Sequence, residues 1–326
     1  MGLTINGWLG YFPTVATAVN QLTGGPLPDQ TDMATVRAMQ SRGAQPVTGA
    51  LVPVDIDSAA SGFRHRPEWV YLPPAWFTAK PASRLPTLMM IGAEFNTPAD
   101  WVRAGDAVHT LDVFAAGHNG EAPVAVFVDP TGAFNNDTEC VNGPRGNAAD
   151  HLTKDVVPYT VATFGLSGDR SRWGVVGFTS GGTCAVDLAV MHSDMLSAFV
   201  DIAGDRGPHA GTKAQTVDRL YGGDAEAWSA FDPTTVITRH GPYADLSGVF
   251  AVPAAVGARS AGNAYDARSR GQADAAETQC ALGRSKAISC SVQSYPGGHT
   301  WPFAATAFRA ALPWLADRLG RPDVAP

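Results

Sequence analysis

The sequence GFTSG, at residues 177–181, could place a nucleophile on a sharp turn between a strand and a helix. The pattern G-x-S-x-G holds the serine of many acyl-transfer enzymes at such a turn, where the neighbouring residues must be small. Here Thr179 occupies the central position, and Ser180 follows with its side chain on a different side of the turn. A threonine hydroxyl can attack an acyl carbon, but its β-branched methyl group restricts χ1 and crowds the turn. Thr179 is therefore the candidate nucleophile, with impaired chemistry expected.

His299 is the candidate general base. It stands in YPGGHTW, after the last strand-like run and before a C-terminal helical pattern. This is the place of the base when a triad follows the chain order nucleophile, acid, base. The acid is harder to assign, because GARSAGNA, which follows the preceding strand-like run, contains no carboxylate. Asp266 is the first carboxylate beyond it, and Asp205 is a substitute position one strand earlier. For both aspartates a helix-cap or loop role is the favoured alternative.

Two backbone N–H groups are needed to stabilise the oxyanion of an acyl-transfer intermediate. The residue after the nucleophile, Ser180, is expected to supply one of them. The loop after the third strand-like run, which begins around Ala93 and Glu94, is expected to supply the other. A carboxylate beside a developing negative charge is unfavourable unless the Glu94 side chain points to solvent.

The elements that must position these groups follow from the hydrophobic pattern. Eight short apolar runs predict strands, and the central ones are continuous rather than alternating, as in strands buried on both faces. They cover residues 50–56, 68–72, 87–91, 124–128, 173–177, 198–202, 249–256 and 289–295. Helical patterns cover residues 32–41, 156–164, 183–192, 215–221 and 304–319. Strands that alternate with helices predict an α/β fold with a mostly parallel sheet covered on both sides. The strand count matches the eight-stranded sheet of an α/β hydrolase.

The organisation of the chain follows the same pattern. Residues 1–45 have an irregular pattern, which indicates an N-terminal extension. Residues 46–326 show the regular alternation of strands and helices, which predicts one α/β-hydrolase domain. Residues from about 205 to 247 interrupt the rhythm and are expected to form a small cap insertion. The apolar, aromatic start of the chain reads as a juxtamembrane or docking segment, so a membrane anchor N-terminal to this chain is an expectation.

Composition excludes several classes of function. The formal net charge of −7 is spread along the chain, and no Lys/Arg cluster offers a face for nucleic acid. No dinucleotide or phosphate-loop fingerprint follows the first strands, so no cofactor is expected. None of the four cysteines stands at metal-ligand spacing from histidines, so no metal site is expected either.

The cysteines also bear on the compartment. Cys280 and Cys290 flank a glycine-containing loop and suit a local disulfide, which leaves Cys140 and Cys184 to pair with each other. Four free buried thiols are the alternative. An even number of cysteines and a low lysine content favour an oxidising, extracytoplasmic setting, in the cell envelope or secreted.

Several longer segments carry a family resemblance: SGFRHRPEWVYLPPAWF, WGVVGFTSGGTCAVDLAVMHSDM and YPGGHTWPFAATAFRAALPWL. With them the chain resembles the actinobacterial esterase-like α/β hydrolases, a group that includes the secreted mycolyltransferases of mycobacteria and larger relatives with membrane-anchored N-termini. The resemblance places the nucleophile on Thr179 and the histidine on His299. It places the acid within residues 260–263, where no carboxylate is present. The group also contains a non-enzymatic branch that keeps the fold, lacks the triad and is thought to bind cell-wall or matrix components.

Three functional hypotheses follow. The first is an envelope esterase or acyltransferase, in which Thr179 attacks an acyl ester of a lipid or sugar and His299 relays the proton. In it, Asp266 or Asp205 orients the base. The second is a catalytically inactive pseudoenzyme that binds a glycan, a lipid or a protein partner in the inherited cleft. The third makes Thr179 a natural or engineered variant of an active serine enzyme.

Overall fold

Eight strands form one sheet in the computed structural model, which describes residues 25–78, 82–254 and 264–320, with side chains from Arg268 onward in the last range. The strands are β1 (Ala50–Val54), β2 (Glu68–Leu72), β3 (Thr87–Ile91), β4 (Val124–Val128), β5 (Trp173–Phe178), β6 (Ala198–Ile202), β7 (Ser247–Pro253) and β8 (Ser289–Tyr295). Their spatial order is β1-β2-β4-β3-β5-β6-β7-β8. The pairs β1–β2 and β2–β4 are antiparallel, and all others are parallel. The predicted fold is therefore confirmed.

Helices cover both faces of this sheet. They are α1 (Met33–Ser41), α2 (Pro74–Thr78), α3 (Asp100–Arg103), α4 (Ala107–Ala116), α5 (Ala148–Asp150), α6 (Val157–Phe164), α7 (Ser180–Met191), α8 (Lys213–Tyr221), α9 (Ala225–Phe231), α10 (Pro233–Arg239), α11 (Ala264–Ser285) and α12 (Trp301–Gly320). A π-helical segment, His151–Val156, joins α5 to α6. Consecutive residues of a strand point to opposite faces, and Val175 and Val176 of β5 accordingly belong to two different apolar cores.

The segment between β6 and β7, where the cap insertion is predicted, folds into the three short helices α8, α9 and α10. Its side chains Leu220 and Tyr221 pack against Val141, which follows β4 in the chain, and form a small separate apolar cluster. The described part of the predicted N-terminal extension packs on the sheet, with Leu27 and Val36 buried in its two cores. In the described ranges, no helix combines the length and the apolar character needed to cross a membrane.

Two disulfide bonds tie helices to neighbouring segments of the chain. Cys140 pairs with Cys184 of α7, and Cys280 of α11 pairs with Cys290 of β8. Both expected pairings are present, and the alternative of four free thiols is wrong. The first bond ties the loop after β4 to the helix that follows the candidate nucleophile.

Candidate active site

Thr179 lies on a strained turn between β5 and α7. Its backbone angles are φ 56° and ψ −120°, a conformation that is unfavourable for a β-branched residue. The turn is held by hydrogen bonds at both ends. The Thr179 N–H donates to the Ile202 carbonyl at 2.9 Å, and the Thr179 carbonyl accepts from Gly182 and Thr183 at 2.8 and 3.1 Å. The strand-to-helix turn expected from the sequence is therefore formed around Thr179.

Glycines make this turn sterically feasible. A Cβ atom on Gly177 would lie 1.7 Å from the Gly181 carbonyl oxygen, and a Cβ on Gly181 would lie 2.4 Å from the Ile91 carbonyl oxygen. Both positions therefore require glycine, which lets the start of α7 approach β3 closely. The small residues of the GFTSGG motif serve this close approach.

His299 lies in the loop between β8 and α12, partly buried beside the turn. Its ring centroid is 5.2 Å from that of Phe178, the residue before Thr179. Burial lowers the pKa of His299 to about 3, and the positive charge of Arg268 acts in the same direction. The ring is therefore neutral at physiological pH.

Gln272 of α11 occupies the position beside His299 where a catalytic triad has its carboxylate. Its Nε2 atom lies 2.9 Å from His299 Nδ1 and 2.8 Å from the Ala203 carbonyl oxygen. A carbonyl oxygen only accepts, so the Gln272 atom facing it is the amide nitrogen. The second amide hydrogen then points at His299 Nδ1, which must accept.

The tautomer of His299 follows from this contact. A neutral imidazole with an acceptor at Nδ1 carries its proton at Nε2. A general base for an attacking hydroxyl needs the opposite arrangement, in which Nδ1–H donates to a carboxylate and Nε2 has a free lone pair. His299 therefore presents a hydrogen-bond donor to the cleft instead of a base.

The hydroxyl group of Thr179 is paired with a cation. Arg268 Nη2 donates to Thr179 Oγ1 over a long distance of 3.5 Å. No hydrogen bond joins Thr179 to His299, although both lie in the described part of the chain. Sequence reasoning missed Arg268 and Gln272 because both lie on α11, which has no clear apolar periodicity. No local motif marks either residue.

Asp205, one of the two predicted acids, has contacts other than the His299 ring. Asp205 lines the cleft, but its N–H donates to Thr183 Oγ1 at 2.9 Å and its carboxylate is 3.9 Å from His209 Nε2. Asp266 belongs to α11, and its side chain lies outside the described residues. The residue beside His299 Nδ1 is Gln272 and not Asp205.

The predicted oxyanion donors lie at the same cleft. Ser180 begins α7, so its N–H has no acceptor within the helix. The Ala93 N–H donates to Asn96 Oδ1 at 3.0 Å, and Glu94 lines the cleft. Burial and the nearby Asp137 raise the pKa of the Glu94 carboxyl.

The cleft has a volume of about 450 Å³ and gathers these residues in one place. We call Phe178, Thr179, Ser180, Arg268, His299 and Trp301 the floor of the cleft, and the loops around Glu94 and Glu139 together with Asp205 and His209 its walls. Glu139 is almost fully buried, its Oε2 atom has no partner among the described residues, and burial raises its pKa well above the ordinary range. The structure thus brings Thr179, Ser180, His299, Ala93, Glu94 and Asp205 to one cleft.

The strand order of the sheet, with its strained turn after β5, is that of an α/β hydrolase. Within this class the chain belongs to the Esterase family ("Putative esterase"), whose family model matches residues 64–315. An uncharacterized protein of Corynebacterium glutamicum is 30% identical over 316 residues, 96% of this chain and 70% of that protein. The expected resemblance to actinobacterial esterase-like α/β hydrolases is confirmed.

Two solved structures share the fold. An S-formylglutathione hydrolase from Agrobacterium tumefaciens has a TM-score of 0.64 at 15% identity, covering 84% of this chain and 97% of the other. MPT51 (FbpC1) of Mycobacterium tuberculosis has a TM-score of 0.52 at 18% identity, covering 82% of this chain and 99% of the other. At such identities the two structures establish the α/β-hydrolase fold alone.

Proposed function

We propose that this chain is an extracytoplasmic esterase-family protein that binds an acyl-bearing ligand of the cell envelope without hydrolysing it. The contact between Gln272 and His299 carries the proposal, because it replaces the acid–base pair of a hydrolase with two donors. The two disulfides support an oxidising compartment.

The suppression of hydrolysis has a specific chemical cause. Attack by the Thr179 hydroxyl on an acyl carbon requires that His299 Nε2 accept the hydroxyl proton. In the tautomer that Gln272 imposes, Nε2 already carries a proton, and Nδ1 has the lone pair. Positioned general-base catalysis contributes about 10²–10⁴-fold in rate, so its loss reduces turnover to a residual level.

An esterase or acyltransferase that uses Thr179 is the second candidate. The observation in its favour is the retained backbone strain at Thr179, with φ 56°, which a binding surface alone would not require. In this candidate Thr179 forms the acyl-enzyme, and His299 adopts the other tautomer when substrate binds. Acyl esters of envelope lipids or sugars are then the substrates.

The experiment compares the wild-type protein with the His299→Gln variant. Hydrolysis of p-nitrophenyl acetate and p-nitrophenyl butyrate is measured beside covalent labelling by a fluorophosphonate. Equal residual hydrolysis in both proteins, without labelling, is the expected result. Labelling and turnover of wild type that His299→Gln abolishes would establish the second candidate. A Thr179→Ser variant belongs in the same series, since turnover by that variant alone would point to an active serine enzyme altered at one position.

A further inference from the structure

Three hydrogen-bond donors converge on the floor of the cleft. Arg268 lines it and reaches Thr179 Oγ1 with its guanidinium group. His299 presents Nε2–H, because its Nδ1 accepts from Gln272. The N–H of Ser180 lies at the positive end of α7, a helix of 12 residues, where negative charge is favoured.

An ester cleft uses the Ser180 N–H, but it has no need of a permanent cation such as Arg268. The arginine offers a permanent charge that can pair with a carboxylate or a phosphate. The imidazole adds a neutral donor that remains in place at physiological pH. An amide beside His299 is compatible with an anion in the cleft, whereas the carboxylate of a triad would repel one.

Aromatic side chains line part of the cleft. Phe178 and Trp301 lie on its floor with ring centroids 5.1 Å apart. Phe95 lines its edge and packs against Phe134 at 5.4 Å between centroids, yet these two rings are 50% and 73% exposed. Such an exposed aromatic pair beside a cleft offers a surface for an apolar chain.

The carboxyl groups in the walls reduce this preference for anions only in part. Burial raises the pKa values of Glu139 and Asp137. The charge of Asp137 raises the pKa of Glu139 further, whereas Arg145 and hydrogen bonds from Glu139 lower the pKa of Asp137. Asp205 lies within 3.9 Å of His209. The permanent cation, Arg268, lies within 3.5 Å of Thr179 Oγ1.

We propose that the cleft binds an amphiphilic oxoanion, a carboxylate or phosphate that carries an alkyl chain. The head group lies between Arg268, His299 Nε2–H and the Ser180 N–H, and the chain lies over Phe95 and Phe134. The proposal rests on the proposed function, because it needs His299 as a donor, and it defines the ligand class.

The test is isothermal titration of the wild-type protein with octanoate, octyl phosphate, octanamide and acetate. Octanoate is expected to bind at least about tenfold more tightly than octanamide, since the charge-assisted bonds to the floor are lost with the amide. Acetate, which lacks the chain, is expected to bind more weakly than octanoate. The tighter of octanoate and octyl phosphate identifies the head group.

Variants locate the site. Arg268→Gln should reduce octanoate affinity to that of octanamide, while Arg270→Gln, an exposed arginine on the same helix outside the cleft, should leave it unchanged. Phe134→Ala should lower the affinity for octanoate but leave the affinity for acetate unchanged. Val113→Ala, which shortens an exposed apolar side chain elsewhere, is its control.

Equal affinities for octanoate and octanamide would overturn the proposal, as would unchanged octanoate binding in a folded Arg268→Gln variant. These results would refute the ligand class. The proposed function is refuted by a different result, namely ester hydrolysis that depends on His299. A protein that discriminates the anion and also hydrolyses esters would refute the proposed function. A protein that neither prefers the anion nor hydrolyses esters would refute only the ligand class.

Discussion

Replacing Gln272 by glutamate should convert His299 from a donor into a general base. The new carboxylate would lie at the position of an amide nitrogen that is 2.9 Å from His299 Nδ1. It can only accept, so Nδ1 would carry the proton and the Nε2 lone pair would face Thr179. The same change removes a 2.8 Å hydrogen bond to the Ala203 carbonyl, which should lower the free energy of unfolding by about 1–3 kcal/mol.

The electrostatic effect on His299 can be worked out from the same contact. A negative charge about 4 Å from the imidazolium contributes about 4 kcal/mol at an effective dielectric constant of about 20. That energy corresponds to a rise of about 3 pKa units. The pKa of His299, now about 3, should therefore rise to about 6. Because the base must be neutral to act, activity should increase as the pH rises through this value.

The assay is hydrolysis of p-nitrophenyl acetate as a function of pH, with serine at position 179 to remove the crowding methyl group. The Thr179→Ser/Gln272→Glu protein should exceed Thr179→Ser alone by about 100-fold or more. His299→Gln in that background should abolish the gain.

Gln279→Glu is a matched control, since Gln279 is a buried glutamine of α11 that also donates to a backbone carbonyl, 2.8 Å away at Arg206. An equal gain in that control would refute the reasoning. So would a folded Thr179→Ser/Gln272→Glu protein without the gain.

Three further predictions concern stability. Burial raises the pKa of Asp201 to about 7, so the folded protein keeps a proton that the unfolded chain releases, and stability is lost as the pH rises to that value. Asp201→Asn should therefore increase the free energy of unfolding in urea by up to about 4 kcal/mol above neutral pH and change it little in acid. Replacing Cys140 and Cys184 by alanine should lower that free energy by about 4 kcal/mol, because the bond closes a 44-residue separation; an unchanged urea midpoint would contradict this. Thr179→Gly should be more stable than Thr179→Ala by about 1–3 kcal/mol in thermal unfolding, because glycine tolerates φ 56°; a less stable glycine variant would show that the turn is not strained.

The strands could be predicted because burial on both faces leaves a continuous apolar run in the sequence. Seven of the eight predicted runs begin where the observed strand begins; the exception, β7, begins at Ser247 instead of at residue 249. The GFTSGG motif also predicted its turn, since close backbone contacts at Gly177 and Gly181 admit no other residue. In the buried strands and in this turn, the residue types that the local structure needs are also those that the tertiary packing needs.

The helix α11 could not be predicted in the same way. Its sequence, AYDARSRGQADAAETQCALGRS, is polar and rich in alanine, and it buries small or polar groups such as Ala276 and Gln272. Hydrophobic periodicity therefore gives no signal for it. The partner of His299 was sought as a carboxylate near β7, whereas the residue beside the ring is an amide two turns into this helix. Only the three-dimensional contact to the Ala203 carbonyl reveals what that amide does.

The ¹⁵N resonances of the His299 ring, assigned by their loss in His299→Gln, test the central claim most directly. In the wild-type protein at neutral pH, Nε2 should be protonated and Nδ1 should have the shift of a nitrogen that accepts a hydrogen bond. A proton on Nδ1, or a doubly protonated ring at neutral pH, would contradict the claim that Gln272 holds His299 as a donor.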